Sequence, residues 1–151
     1  MRILSREWDK HKTFLAIAKK LGELGTCSRK KVGAVIIRDG RCISWSYNGA
    51  PPGLPHCSEN DHGYDTLPYF VEEHQREGCL NATHAEANAI AFAARQGIST
   101  EGATLYLTLA PCEVCARLLI AAGISRVVYS EAYRDPAGAQ LLAKAGLLVL
   151  P

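Results

Sequence analysis

The spacing of apolar residues divides the chain into helices and strands before any chemistry is considered. Phe14, Ile17, Ala18, Leu21 and Leu24 recur at helical spacing behind Ser5, a good N-cap residue, which predicts a helix over 5–24 ended by Gly25. Residues 32–38 and 41–48 are β-rich runs joined at Asp39-Gly40, the two-residue signal of a tight hairpin. Residues 103–109, 126–130 and 147–150 read as three further strands, with helices near 112–122 and 137–145 between them. An alanine-rich run that opens at His84 and continues through Ala94 predicts another helix, apolar enough to be buried. Strand–helix–strand alternation implies parallel pairing in the second half. The sum is an α/β chain with a mixed five-stranded sheet, its first pair antiparallel and its later strands parallel, covered by helices on both faces in three α/β/α layers.

The segment 49–81 breaks this pattern. It is rich in Pro, Gly, His and acidic residues, and it contains His56, Cys57, His62, His74 and Cys79. Connections of that length inside a compact domain usually have a function. Two readings stay open. One is a solvated surface insertion with incidental histidines; the other is a second, structural zinc site drawn from Cys27, Cys57, His74 and Cys79, whose donor types suit zinc although their spacing is not that of a known finger.

Composition narrows the setting. A chain of 151 residues reads as one domain over 1–151, long enough to bury a core without disulfides. Seventeen basic residues against fifteen acidic ones give a formal charge of +2, too little for the basic face that sequence-independent nucleic-acid binding requires. No apolar run is long enough to predict a membrane span. The first ten residues lack an apolar signal core and read as a mature start, so six cysteines are expected to be reduced thiols and metal ligands, which suits the cytoplasm.

Two short motifs carry the chemistry: His84-Ala85-Glu86 and Pro111-Cys112-Glu113-Val114-Cys115. One histidine and two cysteines give zinc three protein ligands and leave the fourth tetrahedral position for water, the arrangement of a catalytic site. Glu86, two residues from a ligand, can then accept a proton from that water and deliver it to a substrate ring nitrogen. A structural zinc site closed by another ligand, or a C-x-x-C redox pair, is the alternative, but neither calls for a glutamate in H-x-E or a proline before the first cysteine. Pro111 suits a helix start, which sets Cys112 and Cys115 on one face of a first turn, where the helix N-terminus favours thiolate.

H-x-E followed by P-C-x-x-C is the signature of zinc-dependent base deaminases. Beyond it, the chain resembles the deoxycytidylate (dCMP) deaminases of the cytidine deaminase-like superfamily over nearly its whole length. The resemblance runs from Cys27-Ser28-Arg29-Lys30-Lys31-Val32-Gly33-Ala34-Val35 to Tyr129-Ser130-Glu131-Ala132-Tyr133, and its most specific part is Tyr47-Asn48-Gly49-Ala50-Pro51, with Gly53 and His56-Cys57 following. It implies a cytidine deaminase-like fold and the hydrolysis of dCMP to dUMP and ammonia, supplying thymidylate synthesis. By position, it implies that His84, Cys112 and Cys115 bind zinc and that Glu86 shuttles protons. Asn48, Ala85 and Tyr133 would contact the nucleotide, with Arg134 or Arg29 at its phosphate. It further implies a homo-oligomer, commonly a hexamer, activated by dCTP with Mg²⁺ and inhibited by dTTP, with Gly49, Gly53, Asn88 and Arg95 near the subunit contacts or effector site.

Residues 58–80 have no counterpart in that pattern, although some viral relatives draw a second zinc from this region, which Cys27, Cys57 and His74 fit. Other substrates for the same chemistry are dCTP, a 5-modified dCMP, a nucleoside or a nucleic-acid base. A non-catalytic nucleotide-binding module is the competing class, and the intact Glu86 argues against it.

Overall fold

A computed structural model describes residues 2–27, 29–56 and 82–151, with the side chains of 2–4 excepted. A helix α1 (Arg2–Gly22) is followed by strands β1 (Gly33–Arg38) and β2 (Arg41–Tyr47). After the insertion come α2 (Ala85–Arg95), β3 (Thr104–Leu109), α3 (Glu113–Ala121), β4 (Arg126–Glu131), α4 (Ala137–Lys144) and β5 (Leu148–Leu150). The sheet order is β2-β1-β3-β4-β5. β1 pairs antiparallel with both β2 and β3, whereas β3–β4 and β4–β5 are parallel, as the strand–helix–strand alternation requires. Asp39 and Gly40 both have positive φ, 52° and 74°, the backbone of the primed turn that closes a two-residue hairpin.

Central strands buried on both sides explain the nearly continuous apolar runs. Ala34, Ile36, Leu105, Leu107 and Val127 face α2, α3 and α4 through Ala85, Ala89, Ala116, Leu119 and Leu142. Val35, Ile37, Tyr106 and Val128 face α1, where Phe14, Leu15, Ala18 and Leu21 pack on them. Helices therefore cover both faces, three on the first and one on the second.

Three readings of the sequence need correction. Helix α1 ends at Gly22, two residues before Leu24, which stands 55% exposed in the turn that follows, and Ile17 is also largely exposed. The burying stripe is thus Phe14, Leu15, Ala18 and Leu21; Ser5 lies inside the helix and does not cap it. Helix α2 is buried only along Ala85, Glu86, Ala89 and Ala93, while Ala91, Phe92 and Ala94 face outward. Alanine is apolar enough for a core and small enough for a surface, so its run marks a helix without marking its faces. Pro111 precedes the first helical residue of α3 by two, and Cys112 is the N-cap.

β2 docks on α2 through its buried serines. Ser44 Oγ donates to the Ala89 carbonyl at 2.7 Å and Ser46 Oγ to the Ala85 carbonyl. Gly49 and Thr83 form a two-way backbone bridge, N–H to carbonyl at 3.1 and 2.8 Å, which brings the chain back beside the end of β2 immediately before His84. No described helix is long and apolar enough to cross a membrane.

Candidate active site and metal centre

The carboxyl ends of β3 and β4 meet the N-termini of α2 and α3, at the point where sheet pairing turns from antiparallel to parallel. Ligand sites in open α/β sheets form at such positions. A cavity of about 390 Å³ opens there, within the range of small-molecule sites.

Each motif residue reaches it from a defined position. His84 is the N-cap of α2, with extended backbone at φ −65° and ψ 150°. Cys112 caps α3 in the same way, and Cys115 lies buried in its first turn. Gly138 of α4 fixes the cysteine end from behind: a Cβ there would lie 2.1 Å from the Pro111 carbonyl oxygen and 2.7 Å from the Cys112 carbonyl carbon, so only glycine lets α4 approach this closely. The result is a donor cluster. His84 Nδ1 lies 3.6 Å from Cys112 Sγ and 3.4 Å from Cys115 Sγ, and all three donor atoms fall within 4.8 Å of one another.

This spacing fits zinc. Tetrahedral angles with ordinary Zn–N and Zn–S lengths separate a nitrogen from a sulfur by about 3.6 Å. Among the described residues no other His, Cys, Asp and Glu side chains cluster in this way. The charge state agrees. Hydrogen bonding from Cys115 and His84 outweighs burial and draws the Cys112 thiol down to about 4. Cys115 is held up by its hydrogen bond to Cys112 and by burial. The same Cys112 sulfur raises His84. Two adjacent sulfurs without a cation hold one negative charge easily and a second only at high cost, and a divalent ion relieves that cost.

Glu86 is 4% exposed, and burial pushes its carboxyl up to about 7 despite its own backbone N–H and the positive field of His84. A carboxyl near neutrality in a cavity wall can both take and give a proton at physiological pH.

Other residues singled out in the sequence gather around the same cavity: Asn48, Ala85, Tyr133, Arg134 and Arg29. Asn48 follows β2 directly, and its amide braces the chain: Oδ1 accepts from the Val32 N–H at 2.8 Å and Nδ2 donates to the Lys30 carbonyl at 2.7 Å. One of its two N–H donors remains for a ligand. The Arg134 guanidinium lies 5.8 Å over the Tyr133 ring. Lys30 and Glu131 also line the cavity and pair with each other at 2.7 Å. Their separation of 101 residues left no local signal.

The proposed effector residues lie elsewhere. Asn88 Nδ2 donates to the Tyr47 carbonyl at 2.9 Å, tying α2 to β2, and with Gly49 it lines a second cavity of about 500 Å³ beside the β2 edge. Gly53 is in a turn with φ 88°. Arg95 is exposed, its guanidinium 5.9 Å from the Phe92 ring centroid. Of the second-zinc candidates, Cys27 is buried and lines the first cavity, whereas Cys57, His74 and Cys79 lie outside the described residues.

Comparison with known proteins gives the same picture. Residues 8–131 match the model of the cytidine and deoxycytidylate deaminase zinc-binding region. Deoxycytidylate deaminase of Mycobacterium phage D29 is 40% identical over 127 residues, 83% of this chain and 95% of that protein. Deoxycytidylate deaminase of Enterobacteria phage T4 is 36% identical over 170 aligned residues, 93% of this chain and 88% of that protein. The crystal structure of the dCMP deaminase from cyanophage S-TIM5 in complex with dCMP and dUMP superposes with a TM-score of 0.76 at 27% identity, covering 91% of this chain and 93% of that one. With its motif residues converged on one metal-binding cluster, the chain belongs to the cytidine and deoxycytidylate deaminase zinc-binding family.

Proposed function

We propose that this protein hydrolyses dCMP to dUMP and ammonia, the deoxyuridylate then serving thymidylate formation. The observation that carries the reading is that His84, Cys112 and the buried Glu86 line one cavity whose rim bears basic side chains, with Cys115 completing the donor cluster of His84 and Cys112. The deoxycytidylate deaminases among its relatives, one of them solved with dCMP and dUMP, support that substrate.

His84 Nδ1, Cys112 Sγ and Cys115 Sγ would hold zinc, which supplies a Lewis acid able to bring water to nucleophilic strength near neutral pH. The chain's own residues do the rest. Glu86 takes a proton from the attacking water and passes it to N3 of the pyrimidine, then takes the second proton from the hydroxyl left on C4 and gives it to the departing amine, so that water and dCMP leave as dUMP and ammonia. Asn48 offers its remaining amide N–H to the nucleotide, and the Ala85 backbone closes the wall beside it. Tyr133 presents a ring to the base; Arg134 and Arg29 present guanidinium groups suited to a phosphate.

The oligomer and its control are part of the same proposal: a homo-oligomer, the hexamer favoured, activated by dCTP with Mg²⁺ and inhibited by dTTP, working in the cytoplasm. Trp45 and Phe92, each about half exposed beside the second cavity with Gly49 and Asn88, supply the apolar surface that a subunit contact would cover. A second zinc would draw on Cys27, Cys57, His74 and Cys79, whose donor types suit it.

The test is ammonia release by the zinc-loaded protein with dCMP, deoxycytidine, dCTP and a cytosine-containing single strand in parallel, each with and without added dCTP or dTTP. Turnover of dCMP well above the others is expected. Silence on dCMP with turnover of another substrate would keep the chemistry and overturn the substrate.

A further inference from the structure

The rim of the cavity contains a group that works against anion binding. Arg29, Lys30 and Arg134 bring three cationic side chains there, and Glu131 adds a carboxylate. Lys30 Nζ donates to Glu131 Oε2 at 2.7 Å, with the two side chains 51% and 60% exposed. Both partners stand on fixed backbone. The Lys30 carbonyl accepts from Asn48 Nδ2 at 2.7 Å, and the Glu131 carbonyl accepts from the Ala110 N–H at 2.8 Å. An ion pair this exposed adds little to stability, so the fold does not explain why a carboxylate sits among cations at this mouth.

Its charge does. A phosphate monoester carries about −1.5 to −2 near neutrality, so it is drawn to the Lys30 ammonium and repelled by the Glu131 carboxylate. An exposed pair also exchanges partners readily. An arriving phosphate can take Lys30 from Glu131, and the freed carboxylate then faces whatever lies beyond that phosphate. A second phosphate would meet it as a like charge, which is how a binding surface rejects a near-relative of its ligand.

We propose that Glu131 is a specificity-determining residue: paired with Lys30 at the cavity mouth, it limits the site to one phosphate and disfavours nucleoside diphosphates and triphosphates. This rests on the dCMP reading and deepens it.

The experiment compares kcat and KM of the zinc-loaded protein on dCMP, dCDP and deoxycytidine at fixed ionic strength, for the wild type and for Glu131→Gln, Glu131→Asp and Lys30→Met. Glu131→Gln is expected to raise kcat/KM for dCDP relative to dCMP by about tenfold, through KM, with the gain shrinking as salt is added. Glu131→Asp should hold the wild-type ratio, since it keeps the charge, and Lys30→Met should lower kcat/KM for dCMP relative to deoxycytidine. An unchanged dCDP-to-dCMP ratio in an active Glu131→Gln protein would overturn the proposal, as would an equal fall in kcat on both nucleotides. A wild-type protein inactive on dCMP would instead overturn the dCMP reading itself.

Discussion

At the inner end of the cavity, His84, Cys112 and Glu86, with the buried Cys115 against them, are set by helix N-termini packed on the sheet, and Glu86 is buried as well. At its mouth, Arg29, Lys30, Glu131 and Arg134 are all exposed and come from loops or a strand end. The inner groups cannot move without disturbing backbone that Gly138, Ser46 and the Gly49–Thr83 bridge hold in position. The outer groups can be exchanged at little cost to the fold. Reaction type is therefore a property of the packed end, and substrate charge is a property of the exposed end.

The sharpest way to break that division is at the packed end. Cys112→Ser should strip zinc, abolish turnover and lower the melting temperature, because metal binding is coupled to folding; metal analysis and a thermal melt check all three. A smaller effect is expected at the mouth. Arg134→Ala should raise KM for dCMP about tenfold, worth about 1.4 kcal/mol, while deoxycytidine is little affected, and equal effects on both would remove Arg134 from the phosphate. The smallest change lies between the two ends. Ser46→Ala loses one buried hydrogen bond to the Ala85 carbonyl and should cost about 1 kcal/mol in denaturant unfolding, with the ratio of dCMP to deoxycytidine turnover kept.

The same division decides how much was legible in the sequence. The His84, Cys112 and Cys115 cluster and Glu86 could be read because they sit within motifs of three to five residues, each opening a helix. The sheet could be read because its central strands are apolar on both faces and its hairpin turns at Asp39-Gly40. The mouth could not. Lys30 and Glu131 meet through the sheet from opposite ends of the chain, and nothing near either one announces the other. Asn48 was found as a cavity residue, but its bracing of Lys30 and Val32 depends on how the loop before β1 folds back. Leu24 and Phe92 show a further limit. Helical spacing continued past the last turn of α1 in one case, and in the other an apolar run concealed which side of α2 meets water.

The central claim is that a buried carboxyl beside a three-ligand metal cluster moves the protons of a deamination. Glu86→Gln keeps the shape of that side chain and removes its ability to take and give a proton. Zinc content and dCMP turnover should be measured on the same preparation of this variant. The account predicts zinc at the wild-type level with turnover lowered by about 10²–10⁴-fold; a zinc-loaded variant that releases ammonia at the wild-type rate would contradict it.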